Sequence, residues 1–157
     1  MEKIASFTVH HENLKRGVYV SRVDSVGKGV VTTFDIRMKE PNKEAMEADA
    51  IHTIEHLGAT YLRNDEGIKD KILYFGPMGC QTGFYLIMKG KWVPKQIIPY
   101  LISMFDFMEN AIEIPGLSPD ECGNFLLHDL VGACIESGKY LHEVLLYENI
   151  PTEYPDE

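Results

Sequence analysis

The order of β-rich and helix-forming stretches is the feature that most limits how this chain can fold. Val18-Tyr19-Val20 and the run from Val30 to Arg37 are rich in β-branched residues, and Gly27-Lys28-Gly29 predicts a turn between them. Pro41-Asn42 ends the second strand, and the composition from Lys43 to Arg63 favours a helix. The first third of the chain is therefore predicted as two strands followed by a helix.

The rest of the chain adds two strands and two helices. Lys71 to Phe75 and Phe84 to Met88 are predicted strands on either side of a glycine-rich turn. Apolar residues at helical spacing from Ile97 to Ile112 predict a second helix. Ser118-Pro119-Asp120-Glu121 has the signals of a helix start, and this third helix is expected to carry Leu126, Leu127, Leu130 and Cys134. We predict an α+β fold, a mainly antiparallel sheet with helices packed on one face, as a single domain over residues 1–157.

The amino-acid composition limits which binding partners and which cellular compartment we expect for this protein. The 15 basic and 24 acidic residues give a formal net charge of −9, which argues against nucleic acid or anionic membrane as a partner, because both need a positive surplus. The start of the chain has no apolar stretch of signal-peptide length. Three cysteines, an odd number without an export signal, indicate reduced thiols. We therefore expect a cytoplasmic protein.

The strongest chemical signal is His52-Thr53-Ile54-Glu55-His56, inside the first predicted helix. Residues four apart on a helix lie on the same face, so both imidazoles can reach one metal ion. Glu55 shares that side, and the His-x-x-Glu-His order is the inverted zincin pattern, in which the glutamate handles protons. The alternative is a chance meeting of surface side chains on a helix, which this triplet makes the weaker interpretation.

Cys122 is the candidate third ligand. It falls in the first turn of the third predicted helix, where the helix dipole favours the thiolate that binds metal. An ordinary buried cysteine is an equal alternative on position alone. Two histidines and one cysteine leave a fourth tetrahedral position open, which is the arrangement of catalytic sites.

Cys80 is a second unusual thiol, because it lies between glycines in the turn from Gly76 to Gly83. A close backbone there can expose the sulfur to a ligand, whereas the alternative is a small apolar plug in the turn. Cys134 has the helical spacing of a core residue and no chemical role is predicted for it.

Several segments occur together and in a fixed order: Ser6-Phe7, His11, Phe34-Asp35-Ile36-Arg37, Pro41 to Met46, His52 to Leu57, Gly76 to Tyr85, Cys122-Gly123-Asn124 and His128-Asp129-Leu130. With this set the sequence closely resembles the S-ribosylhomocysteine lyase (LuxS) family over nearly its whole length. Tyr74 departs from the resemblance, since many members carry an acidic residue there.

The resemblance implies a homodimeric lyase of the activated-methyl cycle with shared active sites. Its substrate would be S-ribosylhomocysteine, split into homocysteine and 4,5-dihydroxy-2,3-pentanedione, the precursor of the quorum signal autoinducer-2. One divalent metal per subunit, natively Fe²⁺ and replaceable by Co²⁺ or Zn²⁺, would be held by residues matching His52, His56 and Cys122.

Further roles come from the same resemblance. The residues matching Cys80 and Glu55 would move protons, and those matching Ser6, His11 and Arg37 would lie around the substrate.

Two other functions stay open on the sequence: a small inverted-zincin metallopeptidase, and a non-catalytic metal-binding module. Against the first, the chain lacks an obvious downstream glutamate ligand.

Overall fold

Four strands form one antiparallel sheet in the order β1-β2-β4-β3. The computed structural model describes residues 1–156, and Glu157, the last residue of the predicted domain, lies outside the described residues. The strands are β1 (Gly17–Val26), β2 (Gly29–Arg37), β3 (Ile72–Pro77) and β4 (Gly83–Lys89). Gly27 adopts a left-handed backbone (φ 59°) in the two-residue turn between β1 and β2, as a tight hairpin requires.

Three helices cover the sheet: α1 (Ala48–Asn64), α2 (Pro94–Glu109) and α3 (Leu130–Tyr140). A π-helical turn, Leu141–Leu145, continues α3. One core contains apolar side chains of the sheet and of all three helices, among them Phe34, Ile54, Leu86, Met104 and Ala133. The predicted α+β fold is confirmed. Among residues 1–156, no helix combines the length and apolarity needed to cross a membrane.

Strand β2 presents different chemistry on its two faces. Phe34 and Ile36 are fully buried in the core, and the period of two places Asp35 and Arg37 on the opposite face. These two charged residues are also buried, with 1% and 3% of their surface exposed. The sequence predicts the alternation but not this burial, which depends on the C-terminal segment described below.

Helix α1 begins five residues later than predicted from composition, at Ala48 instead of Lys43. Asn42 has a left-handed backbone (φ 62°) just before the predicted start, and Glu47, the N-cap, is extended (φ −69°, ψ 146°), so the helix cannot include it. The amide of Met46 donates to the carbonyl of Gln81 (2.9 Å), so the chain before α1 is tied to the β3–β4 turn.

Helix α3 begins at Leu130, and the prediction of a helix from Ser118 is wrong. The Ser118 hydroxyl donates to Glu121 Oε2 (2.7 Å) instead of capping a helix, and only a turn follows. Asp129 is the real N-cap, accepting from the Gly132 amide at 2.9 Å. Leu126 is therefore 81% exposed instead of packed on a helix.

Three further expectations differ from the structure. Cys122 lies in a turn, so no helix dipole acts on it, although it is buried. Cys134 lies on α3 as predicted but is only half-buried, with its Sγ 3.5 Å from the carbonyl of Ala111. Ile112 lies beyond the end of α2 and is 91% exposed.

Candidate functional site

Helix α1 presents His52 and His56 to the irregular segment that precedes α3. The buried face of α1 carries Ile51, Ile54 and Leu57, so the two histidines lie toward the other side. His52 Nδ1 lies 2.6 Å from the carbonyl of Leu127, and His56 Nδ1 lies 2.8 Å from that of Pro115. A carbonyl only accepts, so each Nδ1 carries a proton, and in the neutral ring the lone pair is on Nε2.

The sulfur of Cys122 lies where these lone pairs converge. Its Sγ is 3.5 Å from His52 Nε2, and the residue is 8% exposed. The two histidines and the cysteine predicted as ligands are thus brought together, although they come from distant parts of the chain.

His128 belongs to the same cluster, although no single sequence motif predicts it as a site residue. Its Nε2 lies 3.7 Å from Cys122 Sγ, and ligand atoms of the four residues all lie within 4.8 Å of one another. The sequence signal was present in His128-Asp129-Leu130, but only the contact of this segment with α1 brings the ring to the site.

The tautomer of His128 follows from the contacts of one hydroxyl. Thr53 Oγ1 donates to the carbonyl of Asp49 (3.0 Å) and accepts from the amide of Asp129 (2.9 Å). A hydroxyl has one proton and two acceptor positions, so its contact with His128 Nδ1 at 2.9 Å requires a proton on that nitrogen. In the neutral ring of His128, the lone pair is therefore also on Nε2.

These donors fit a metal ion. Bonds of about 2.0–2.1 Å to nitrogen and about 2.3 Å to sulfur give nitrogen–sulfur separations of roughly 3.6 Å in a tetrahedral site. The separations of 3.5 and 3.7 Å from Cys122 Sγ match this value. Imidazole nitrogens beside a cysteine sulfur are the donor types of a site for a first-row transition metal.

Ring orientation distinguishes the three histidines. The His52 and His56 rings are nearly perpendicular, at 86° with centroids 4.7 Å apart, so both can point a lone pair at one ion. The His128 ring stacks on His52 at 3.9 Å and 21°. A lone pair lies in its ring plane, and two stacked planes do not meet within the length of a metal–nitrogen bond. His52 and His128 therefore cannot both bind one ion with good geometry as they stand.

The environment of His128 favours its neutral form. Its pKa lies below the ordinary value because burial disfavours the charged ring, and nearby His52 and His56 act in the same direction. Glu55, the predicted proton carrier, lies half-exposed on α1 between the two histidines.

Cys80 lies in a second region, at the exposed tip of the β3–β4 turn. Its Sγ is 3.0 Å from Thr82 Oγ1 and 3.9 Å from a terminal nitrogen of Arg37. A cavity of about 480 Å³ contains Cys80, Arg37, Thr82 and His11 in its wall. The left-handed residue of the turn is Gln81 (φ 62°) instead of one of the glycines.

Arg37 is held by a buried ion pair. Its Nε and one terminal nitrogen donate to the two carboxylate oxygens of Asp35, at 3.0 and 2.7 Å, and the other terminal nitrogen donates to Thr82 Oγ1 at 2.7 Å. Burial disfavours the charge of Arg37, but the hydrogen bonds and attraction to Asp35 outweigh it and raise the pKa of the guanidinium.

The predicted site residues therefore fall into separate groups. His52, His56 and Cys122 form, together with His128, a cluster that could hold a metal ion (the metal cluster), whereas Cys80, Arg37 and His11 share a cavity that has no wall residue in common with that cluster. Ser6 lies in a further cavity of about 240 Å³, beside Tyr74 and Tyr85. His11 Nδ1 is 2.8 Å from the carbonyl of Val9.

Fold and site together define a class of protein, a mixed α+β chain with a histidine–cysteine cluster able to hold a metal ion. Within that class, the chain belongs to the S-ribosylhomocysteinase (LuxS) family, which residues 4–150 match. The resemblance found in the sequence is thus confirmed.

Curated relatives match over nearly the full length. The S-ribosylhomocysteine lyase of Desulfotalea psychrophila is 58% identical over 147 residues, which cover 92% of each chain. That of Porphyromonas gingivalis is 54% identical over 162 residues, covering 99% of this chain and all of its own. A third, from Phocaeicola vulgatus, is 57% identical over 147 residues, covering 92% of this chain and 91% of its own.

Proposed function

We propose that this protein is a carbon–sulfur lyase that cleaves the thioether of S-ribosylhomocysteine, giving homocysteine and 4,5-dihydroxy-2,3-pentanedione. Similar proteins at 49–58% identity are named S-ribosylhomocysteine lyase. The observation that carries the proposal is the convergence of His52 and His56 Nε2 with Cys122 Sγ, because this donor set suits a catalytic metal.

In this proposal His52, His56 and Cys122 hold one divalent metal per subunit. A metal there supplies a Lewis acid for a sugar carbonyl. The carbonyls of Leu127 and Pro115 keep the two imidazoles in the ligating tautomer. We propose Fe²⁺ as the native ion, with Co²⁺ or Zn²⁺ as substitutes, since nitrogen and sulfur donors suit all three.

Cys80 and Glu55 are the proposed proton carriers. The thioether at carbon 5 of the ribose can leave only after a carbonyl has migrated along the sugar to permit β-elimination. Each migration removes a proton beside a carbonyl and returns it one carbon away, so groups on the two sides of the sugar are needed. Arg37, His11 and Ser6 are proposed to bind the substrate, and Arg37 offers a charged donor beside Cys80 (3.9 Å).

We further propose a homodimer with shared active sites. The metal cluster and the cavity around Cys80 have no residue in common, as expected if each active site combines the cluster of one subunit with the cavity of its partner. An apolar stripe of Leu127, Val131 and Ile135, 39–70% exposed, lies beside the cluster and offers a surface for a second copy.

The compartment and the use of the product are part of the same proposal. Cys80, Cys122 and Cys134 are unpaired, which suits a reducing compartment such as the cytoplasm. There the homocysteine would return to sulfur metabolism, and the other product would supply the precursor of a quorum signal.

The metallopeptidase and the non-catalytic module are less favoured, because neither explains an exposed thiol beside a buried arginine.

Thiol release on mixing the metal-loaded protein with S-ribosylhomocysteine tests the proposal. We expect stoichiometric free homocysteine from the wild-type protein and from Cys134→Ser, whose cysteine lies outside both groups of site residues. A peptidase or a binding module would release no thiol, so the absence of homocysteine from fully metal-loaded wild-type protein would reject the lyase assignment.

A further inference from the structure

The C-terminal segment after Ile150 lies against the sheet face opposite the helices, and it follows the last residue matched to the family. The carbonyl of Pro151 accepts from the Val18 amide at 2.9 Å. Gly17 permits this approach, since a Cβ there would lie 2.2 Å from the Pro151 carbonyl oxygen. The ring of Tyr154 stacks on the buried ring of Tyr19, with centroids 4.8 Å apart and planes at 10°. The segment is thus fixed in position by backbone and side-chain contacts.

Tyr154 reaches the buried ion pair directly. Its hydroxyl donates to Asp35 Oδ2 at 2.9 Å, and the same oxygen accepts from Arg37 at 2.7 Å. Burial and the negative charge of Asp35 raise the pKa of Tyr154 well above its ordinary value, so the hydroxyl remains a donor at physiological pH.

The contacts continue from the ion pair to the exposed thiol. Arg37 donates to Thr82 (2.7 Å) and lies 3.9 Å from Cys80 Sγ, and Thr82 Oγ1 is 3.0 Å from the same sulfur. An unbroken series of polar contacts therefore joins the hydroxyl of Tyr154 to the environment of Cys80.

We propose that Tyr154 is a positioning residue for the Cys80 thiol: by fixing Asp35, it holds the Arg37 guanidinium beside the sulfur. Loss of the hydroxyl removes one of the two hydrogen bonds that Asp35 Oδ2 accepts and leaves only the bond from Arg37. The carboxylate can then rotate, and Arg37, bound to it through two hydrogen bonds, moves with it away from Thr82 and Cys80. The importance of this thiol rests on the proposed lyase function, but the positioning does not.

Alkylation of Cys80 with two reagents measures the position of the guanidinium. Iodoacetate is anionic and iodoacetamide is neutral, and both react with the thiolate, so the ratio of their rates cancels the thiolate fraction and reports nearby charge. A unit charge about 5–6 Å away in water changes the rate with the anion by roughly threefold. Peptide mass mapping separates Cys80 from Cys122 and Cys134.

The test compares Tyr154→Phe, which keeps the ring, with Tyr147→Phe, whose tyrosine is 65% exposed. We expect the iodoacetate-to-iodoacetamide ratio to fall about threefold in Tyr154→Phe and to stay at the wild-type value in Tyr147→Phe. A wild-type or higher ratio in Tyr154→Phe overturns the proposal. An equal rise of both rates also overturns it, because that result indicates greater exposure of the thiol and no displaced charge. Either result is independent of turnover of S-ribosylhomocysteine.

Discussion

The orientation of single rings distinguishes the proposed ligands His52 and His56 from their neighbour His128 in the metal cluster. His52 and His56 are nearly perpendicular, whereas His128 stacks on His52. We predict that His52→Ala, His56→Ala and Cys122→Ala each lower the metal affinity by more than about 10- to 100-fold and lose their metal on desalting, since even an outer partner of a ligand is worth roughly 10- to 100-fold in affinity. His128→Ala should still bind one equivalent at saturating metal. Elemental analysis after equilibration with excess metal and desalting measures the metal content of all four variants.

His142→Ala is the matched control, because His142 pairs with Glu109 away from the cluster, at 2.9 Å. Full occupancy in His52→Ala would contradict the ligand assignment. A loss in His128→Ala as large as that in His52→Ala would instead make His128 a fourth ligand.

Two other side chains are expected to affect chemistry without affecting the metal. Cys80→Ser and Glu55→Gln keep approximate size but replace a thiol with a far less acidic hydroxyl and a carboxyl group with an amide that does not titrate. Each should keep its metal and lose about 10²- to 10⁴-fold in homocysteine release, the usual effect of one general acid or base. Deuterium incorporation at carbon 2 of the ribose, followed by NMR, identifies the step at which each variant stops.

Cys134→Ser serves as the thiol control for these variants. Near-wild-type homocysteine release by metal-loaded Cys80→Ser would show that Cys80 has no part in the mechanism. Cys80 would then have only a structural role in the β3–β4 turn.

At the scale of elements, the sequence is informative where contacts are local. The β1–β2 hairpin follows from its turn residues, and α1 follows from its apolar spacing, so the shared face of His52 and His56 is predictable. The segment before α3 is different. Its shape depends on contacts with α1, such as the bond of the Asp129 amide to Thr53 and of the Leu127 carbonyl to His52.

These long-range contacts also explain the error at Ser118. Ser, Pro and Glu at this spacing satisfy the local rules for a helix start, yet the Ser118 hydroxyl binds Glu121 and the chain turns back toward His52. For the same reason the proximity of His128 to Cys122, and the cover of Tyr154 over Asp35, were not predictable from periodicity.

The true start of α3 can be tested by stability. Asp129→Ala removes the bond to the Gly132 amide, and we expect the free energy of unfolding to fall by about 1 kcal/mol. Ser118→Ala should change it by less than about 0.5 kcal/mol, because an exposed hydroxyl bonded to a side chain contributes little. Urea unfolding at one protein concentration compares them. A larger loss in Ser118→Ala than in Asp129→Ala would contradict the assigned helix boundary.

For the whole molecule, the separation of the metal cluster from the Cys80 cavity predicts complementation between subunits. Glu55→Gln and Cys80→Ser should each be inactive alone. If an active site takes Glu55 from one subunit and Cys80 from its partner, a mixed dimer contains one intact site. Random exchange then restores about a quarter of wild-type homocysteine release, because half of the dimers are mixed and each has one of two sites.

Mixing His11→Ala with Cys80→Ser is the control, because both residues line the same cavity of one chain and no intact site can form. Subunit exchange is verified by native mass spectrometry. An inactive mixture of the Glu55 and Cys80 variants, with exchange demonstrated, would contradict shared sites.

The long stretch without regular secondary structure between α2 and α3 has a consequence for the life of the protein in the cell. Its carbonyls and Cys122 meet α1 at the histidines, so an ion bound there joins distant parts of the folded chain. Because this site is absent from the unfolded chain, the free energy of metal binding adds to the stability of the folded state. Chelation should therefore open this stretch to proteases before the rest of the chain. When metal is scarce, the cell would then degrade the empty protein and retain the loaded one, so that metal supply sets the amount of enzyme as well as its activity.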